Sequence, residues 1–172
     1  LESPEDILGL IAARRDRRPA RPLLFLDELF RRLARCAAEE AESTEGLIWD
    51  VWMSHPHHAA AHALELATRD IAARRYDIAE TRLTQLLRRA PDFAEAWHKR
   101  AALYYVLGRD ADCLGDIRRT LELEPRHFAA MLHFAEILLG DGAPADARFA
   151  FHAALTLHPH LPRARQALAD KP

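Results

Sequence analysis

Four of the ten histidines in this 172-residue chain fall within eight positions, as HPHHAAAH: His55, His57, His58 and His62. Imidazole is a common ligand for divalent metals, and His58 and His62, four apart, share a face if a helix has begun there. A metal centre needs further donors, however. No carboxylate or thiol lies inside the cluster, and Pro56 marks a turn. A polar linker with incidental histidines is the favoured reading, with His58 and His62 kept as the alternative metal pair. His158 and His160, flanking Pro159, are read the same way.

Other chemistry is sparse. No nucleophile elbow, phosphate loop, dinucleotide-binding glycine pattern or HExxH occurs. The three serines (Ser3, Ser43, Ser54) and two cysteines (Cys36, Cys113) have no placed base. We expect a protein that is not an enzyme and that has no cofactor. A basic run, Arg14, Arg15, Arg17, Arg18 and Arg21 against Asp16, has the charge to touch phosphate or an anionic membrane. It lacks aromatic interleaving, so a solvated arm is preferred and no nucleic-acid partner is expected.

The elements that position these residues are helical. Ala and Leu make up about a third of the chain, β-branched residues are scarce, and formal net charge is −2. No apolar run approaches the ~18 residues of a membrane span.

Proline sets a period. Pro91, Pro125 and Pro159 are 34 apart, and the segments between them align. A small residue recurs as Ala79, Cys113 and Ala147. A bulky apolar residue recurs as Leu83, Ile117 and Phe151, and leucine as Leu87, Leu121 and Leu155. Turn residues fall midway, at 74–77, 108–110 and 142–144. The middle unit adds Trp97, Tyr104 and Gly108. The pattern resembles the tetratricopeptide repeat, a pair of antiparallel helices A and B. In that unit the small residues let helices approach and the large ones fill the gap to the next repeat.

The resemblance implies an all-α fold: a right-handed α-solenoid of about three helix-turn-helix repeats with helical caps at both ends. Four regions are expected. Residues 1–22 form a basic lead-in, partly disordered or a loose helix at 5–14. Residues 23–59 form an atypical helical pair, residues 60–161 three repeats (60–93, 94–127 and 128–161), and residues 162–172 a short capping helix.

The resemblance also implies a binding site on the concave side, lined by the A helices. The residues concerned are Leu64, Glu65, Thr68, Glu95, His98, Lys99, Ala102, Tyr105, Leu132, His133 and Glu136. Mostly apolar with a few hydrogen-bonding groups, this groove suits a helix or peptide segment of another protein. The two-carboxylate clamp of chaperone-binding members is not matched: Lys99 stands where that clamp has Asn, and the chain contains no Asn. Arg126 and His127, between repeats, are expected to bond the ends of neighbouring helices. A homo-oligomer, through the N-terminal helices or end repeats, is the alternative role. The strings DFAEAWHKRAALYY and LELEPRHFAAM resemble short bacterial proteins of this group that often carry a secretory signal. That implies a periplasmic location, with the cytoplasm as alternative. No signal peptide is visible, but the chain does not begin with Met.

Overall fold

Alternating Ala- and Leu-rich runs broken by Pro and Gly give short amphipathic helices that bury one face each. The computed structural model describes residues 3–169. It shows α1 (Pro4–Ala12) with a 3-10 turn (Ala13–Asp16), α2 (Leu24–Leu33), α3 (Ala38–Met53), α4 (His58–Ala72), α5 (Tyr76–Arg89), α6 (Ala94–Val106), α7 (Asp110–Leu123), α8 (Phe128–Gly140), α9 (Pro144–Leu157) and α10 (Pro162–Ala169). Helices α4–α5, α6–α7 and α8–α9 pack as successive pairs.

The 34-residue period is visible atom by atom in the turns. Within each pair the chain reverses through one residue with left-handed backbone: Arg74 (φ 57°), Gly108 (68°) and Gly142 (74°). The following amide then donates back five residues, Arg75 to Asp70, Arg109 to Tyr104 and Ala143 to Leu138. This is a Schellman-type stop, which satisfies the orphan carbonyls of the first helix. Glycine adopts that conformation without penalty and Arg74 does not. Between pairs, the amides of Phe93 and His127 each donate three residues back. Ala79, Cys113 and Ala147 are fully buried, as are Leu83 and Ile117, with Phe151 almost so.

Two apolar cores result. One centres on the first pair and reaches α6, and is built on Leu64, Leu83, Leu86, Phe93 and Leu103. The other runs through the second and third pairs and includes the leading helices. Here the lead-in takes the helical one of its two expected forms, but packed rather than loose. Helix α1 packs on α7 and α9, with Ile7 and Ile11 fully buried, worth ~2 kcal/mol each against exposure. Arg17 donates to the carbonyls of Leu121 (3.0 Å) and Glu122 (2.8 Å), and the Ala20 amide donates to Leu123 (2.7 Å). These carbonyls end α7, where unpaired acceptors and the negative end of the helix dipole favour a guanidinium. The i, i+4 spacing of Ile7 and Ile11 is helical, but nothing local says which surface that face meets. The 23–59 pair likewise joins the core of the second and third repeats. A cleft of about 330 Å³ between α4 and α5 is lined by residues of the first repeat and the turns beside it, His57, Ala63 and Leu86 among them. Residues 1–2 and 170–172 of the expected end regions lie outside the described residues.

Candidate functional site

Glu95 in the first turn of α6 is 1 % exposed, and His127, just before α8, is fully buried. Their positions explain why they meet. His127 falls where Phe93 and Leu161 fall one repeat away, and Glu95 falls where Ala61 and Ala129 do. The middle repeat thus replaces an apolar contact with a polar one.

The hydrogen bonds fix the ring protons. The Ala130 amide donates to His127 Nδ1 (3.2 Å), capping α8, so the His127 proton sits on Nε2 and is donated to Glu95 Oε2 (2.8 Å). His98 Nδ1 lies 3.4 Å from Glu95 Oε1, and a carboxylate can only accept, so this nitrogen is the donor. His98 Nε2 is then the acceptor for His133 Nδ1 at 3.3 Å. Lys99 Nζ adds a third contact to the carboxylate, 3.4 Å from Glu95 Oε1. Burial alone would raise the Glu95 carboxyl, but His98 and His127 hold it well below the ordinary carboxylate range. Burial and the neighbouring His127 push His98 down to about 4, and burial with His98 pushes His133 down to about 3. Both rings are neutral at pH 7.

Helix α3 roofs this cluster. Trp52 stacks on His127 with ring centroids 4.1 Å apart and planes 10° from parallel. Trp49 lies 6.0 Å from both His98 and His127, and Lys99 Nζ sits 5.4 Å from its ring. A row of rings therefore runs from Trp52 through His127, His98 and His133 to Tyr105, the last two stacked at 5.4 Å.

Among the described residues, Glu95, His98 and His127 are the one group of three carboxylate, imidazole or thiol donors close enough to share a cation. Their hydrogen bonds argue against that use. A cation would displace both ring protons facing Glu95, and would leave His127 Nδ1 still accepting from Ala130, with no proton on either nitrogen. The group is satisfied as an ion-and-imidazole network. His58 and His62 are both exposed on the first turns of α4, and His62 Nδ1 stands 3.8 Å from Glu65.

The sequence-derived groove residues divide three ways. Glu95 and His98 lie under α3 and Leu64 is in the first core, so none of these faces solvent. Lys99, Leu132 and His133 are half-buried around the ring row. Ala102 and Tyr105 are half-buried further along the A helices, where Val106 is 59 % and Leu139 46 % exposed. Glu136 is held by Arg163 of α10 at 3.0 Å, and Tyr105 is pushed up by burial and then by Glu136. In the first repeat, Thr68 donates to the Leu64 carbonyl at 2.9 Å, and Glu65 is exposed. His127 caps α8 as expected, and Arg126 binds Glu124 (2.9 Å) and Asp27 (2.6 Å), a contact with α2 that its loop position did not reveal. Trp49 and Trp52 carry no repeat signal that would have marked them. The signal for His127 was available, as a histidine at an otherwise apolar repeat position.

Helix-turn-helix units in a fixed 34-residue register, stacked through small-residue contacts, define an α-solenoid repeat protein. No protein-family model matches the chain. A TPR repeat-containing protein of Rhizobium etli is 32% identical over 122 residues, covering 70% of this chain and 60% of that protein. The chain thus spans about three-fifths of the length of that curated relative. Two solved MamA structures, a mutant and MSR-1 C2, superpose with TM-scores of 0.54 and 0.55 at 18% identity. They cover 83% of this chain and 81% and 80% of those chains. In repeat register and fold the chain is similar to tetratricopeptide-repeat proteins. A protein-interaction or scaffold role goes with that class. No helix among the described residues is long and apolar enough to cross a membrane.

Proposed function

We propose that this protein is a non-catalytic adaptor that receives a helix or peptide segment of a partner protein on the uncovered part of its A-helix face. The observation that carries the reading is the division of that face. Helix α3 covers the first turns of α6 and α8, whereas Tyr105, Val106 and Leu139 near their C-terminal ends stay open. Apolar side chains exposed beside a stacked Tyr105–His133 pair and the Glu136–Arg163 ion pair give burial area together with orienting polar groups. The cluster under α3 holds its own groups in place and contributes architecture rather than contact.

The test is partner capture by the full chain with Tyr105→Ala and Val106→Ser combined. Val106 is exposed and Tyr105 half-buried, so helicity should hold with a modest fall in melting temperature while capture falls about tenfold or more. Undiminished capture would remove this surface from consideration. A self-assembling scaffold is the second reading, favoured by the open cleft between α4 and α5. It requires mass to rise with concentration in sedimentation equilibrium, and Ala63→Arg to prevent the rise. A periplasmic setting remains part of the proposal through the bacterial resemblance alone, and a leader encoded upstream would support it.

A further inference from the structure

A cleft of about 540 Å³ lies away from the A-helix face, where the lead-in turns into α2. Arg14, Arg15, Arg17, Arg18 and Arg126 line it, against one carboxylate, Asp27, which Arg126 already binds at 2.6 Å. The lead-in from Arg14 to Arg21 has five arginines and one aspartate, a net +4, so the rest of a chain of net −2 carries −6. Positive charge is therefore concentrated at one place. It is also anchored: Arg14 bonds Thr156 (2.7 Å) and Arg17 the end of α7. Arg15 and Arg18 are exposed and have no carboxylate partner among the described residues. Burial and the like charge of Arg15 push the Arg14 guanidinium down from its usual value, the condition an arriving anion relieves.

The second observation is independent. Leu24, which lines the same cleft, is 87 % exposed, and Phe25 beside it is 61 % exposed. These are the two most exposed large apolar side chains among the described residues. They protrude from the first turn of α2, whose unpaired amides also favour an anion.

We propose that this corner is a docking surface for an anionic bilayer, with arginines taking lipid phosphates and Leu24 and Phe25 entering the acyl boundary. Stable attachment of a protein without a spanning helix requires two such signals, and they coincide here. Protruding side chains suit a deformable layer. A protein partner with an acidic, apolar socket is the competing occupant.

The test is co-sedimentation of the full chain with vesicles of phosphatidylcholine alone or with about a third phosphatidylglycerol, at low and high salt. A Phe25→Trp variant reports insertion by a blue shift of its emission. The expected result is partition to anionic vesicles only, reduced by salt. It should fall by more than about tenfold in Arg15→Glu/Arg18→Glu and by a similar factor in Leu24→Ser/Phe25→Ser, with helicity unchanged in both. Absence of sedimentation with anionic vesicles, or partition indifferent to both pairs of substitutions, overturns the proposal. So does an unshifted emission spectrum of the Phe25→Trp variant with vesicles bound.

Discussion

The first and second repeats share one backbone plan and solve the burial of its inter-repeat corner differently. In the first, Phe93 fills the corner and an apolar core closes with Ala96 and Leu103 of the neighbouring α6 and, among the described residues, no buried histidine–carboxylate bond. Its buried carboxylate, Asp70, is answered from within the pair by Arg75 (2.7 Å) and Arg82 (3.0 Å). In the second, His127 takes the corner and demands partners, which come from elsewhere: Glu95 on α6, the Ala130 amide, and Trp52 on a helix far earlier in the chain. An apolar corner accepts any well-shaped neighbour, whereas a polar one leaves donors unmet unless the right elements arrive. The middle repeat is consequently where the leading helices dock, and the first repeat keeps an open cleft.

That contrast is broken most severely at Trp52. Trp52→Ala removes the stack on His127 and is expected to cost ~3–5 kcal/mol in denaturant unfolding. Exchange protection should be lost in α3 and at the start of α8 but kept in α4 and α5. Uniform loss across all repeats would show that the two cores are not separate.

Acid should separate the repeats next. His98 and His133 have lowered folded values, about 4 and 3, against 6.5 unfolded. Between pH 6.5 and 4 the unfolded chain binds those protons first, so stability falls as pH falls through that window. Glu95 is also depressed, so its contribution holds above pH 4.5 and is lost on further acidification. Melting temperature is expected to drop steadily from about pH 7 to about pH 4, and His133→Phe to flatten the upper part of the drop. A flat profile in the unsubstituted protein would mean that these rings are not buried and neutral.

The smallest effect sharpens the comparison at the turns. Arg74 occupies the left-handed position that Gly108 and Gly142 hold in the other repeats. No Cβ clash crowds Gly108 or Gly142, so the issue there is backbone conformation alone. Arg74→Gly is expected to stabilise by up to about 1 kcal/mol, the relief of a left-handed side chain less the added freedom of the unfolded chain. Thermal unfolding reads the sign, and destabilisation would mean that the Arg74 side chain makes a contact worth more than the strain.

The array was legible because its signals are local and periodic: Pro125, the Ala79–Cys113–Ala147 series and the turn glycines each repeat in register. The leading segments were legible as helices, at 5–14 and as a pair within 23–59, but their docking was not, because it depends on surfaces distant in sequence. Ile7 and Ile11 mark one face of a short helix, but its partner is unknown until α7 and α9 stand opposite them. The groove residues illustrate the same limit. Register put His98 and Tyr105 on one face, but only the path of α3 leaves one covered and the other open.

Hydrogen–deuterium exchange of the intact chain is the most direct test of the claim that α3 is a fixed roof over the middle repeat. Amides of residues 47–53 should be protected as strongly as those of α6 and α8 and should exchange with them. Rapid exchange in 47–53 while α6 and α8 remain protected would contradict the account, because Glu95, His98 and His127 would then lie open to solvent.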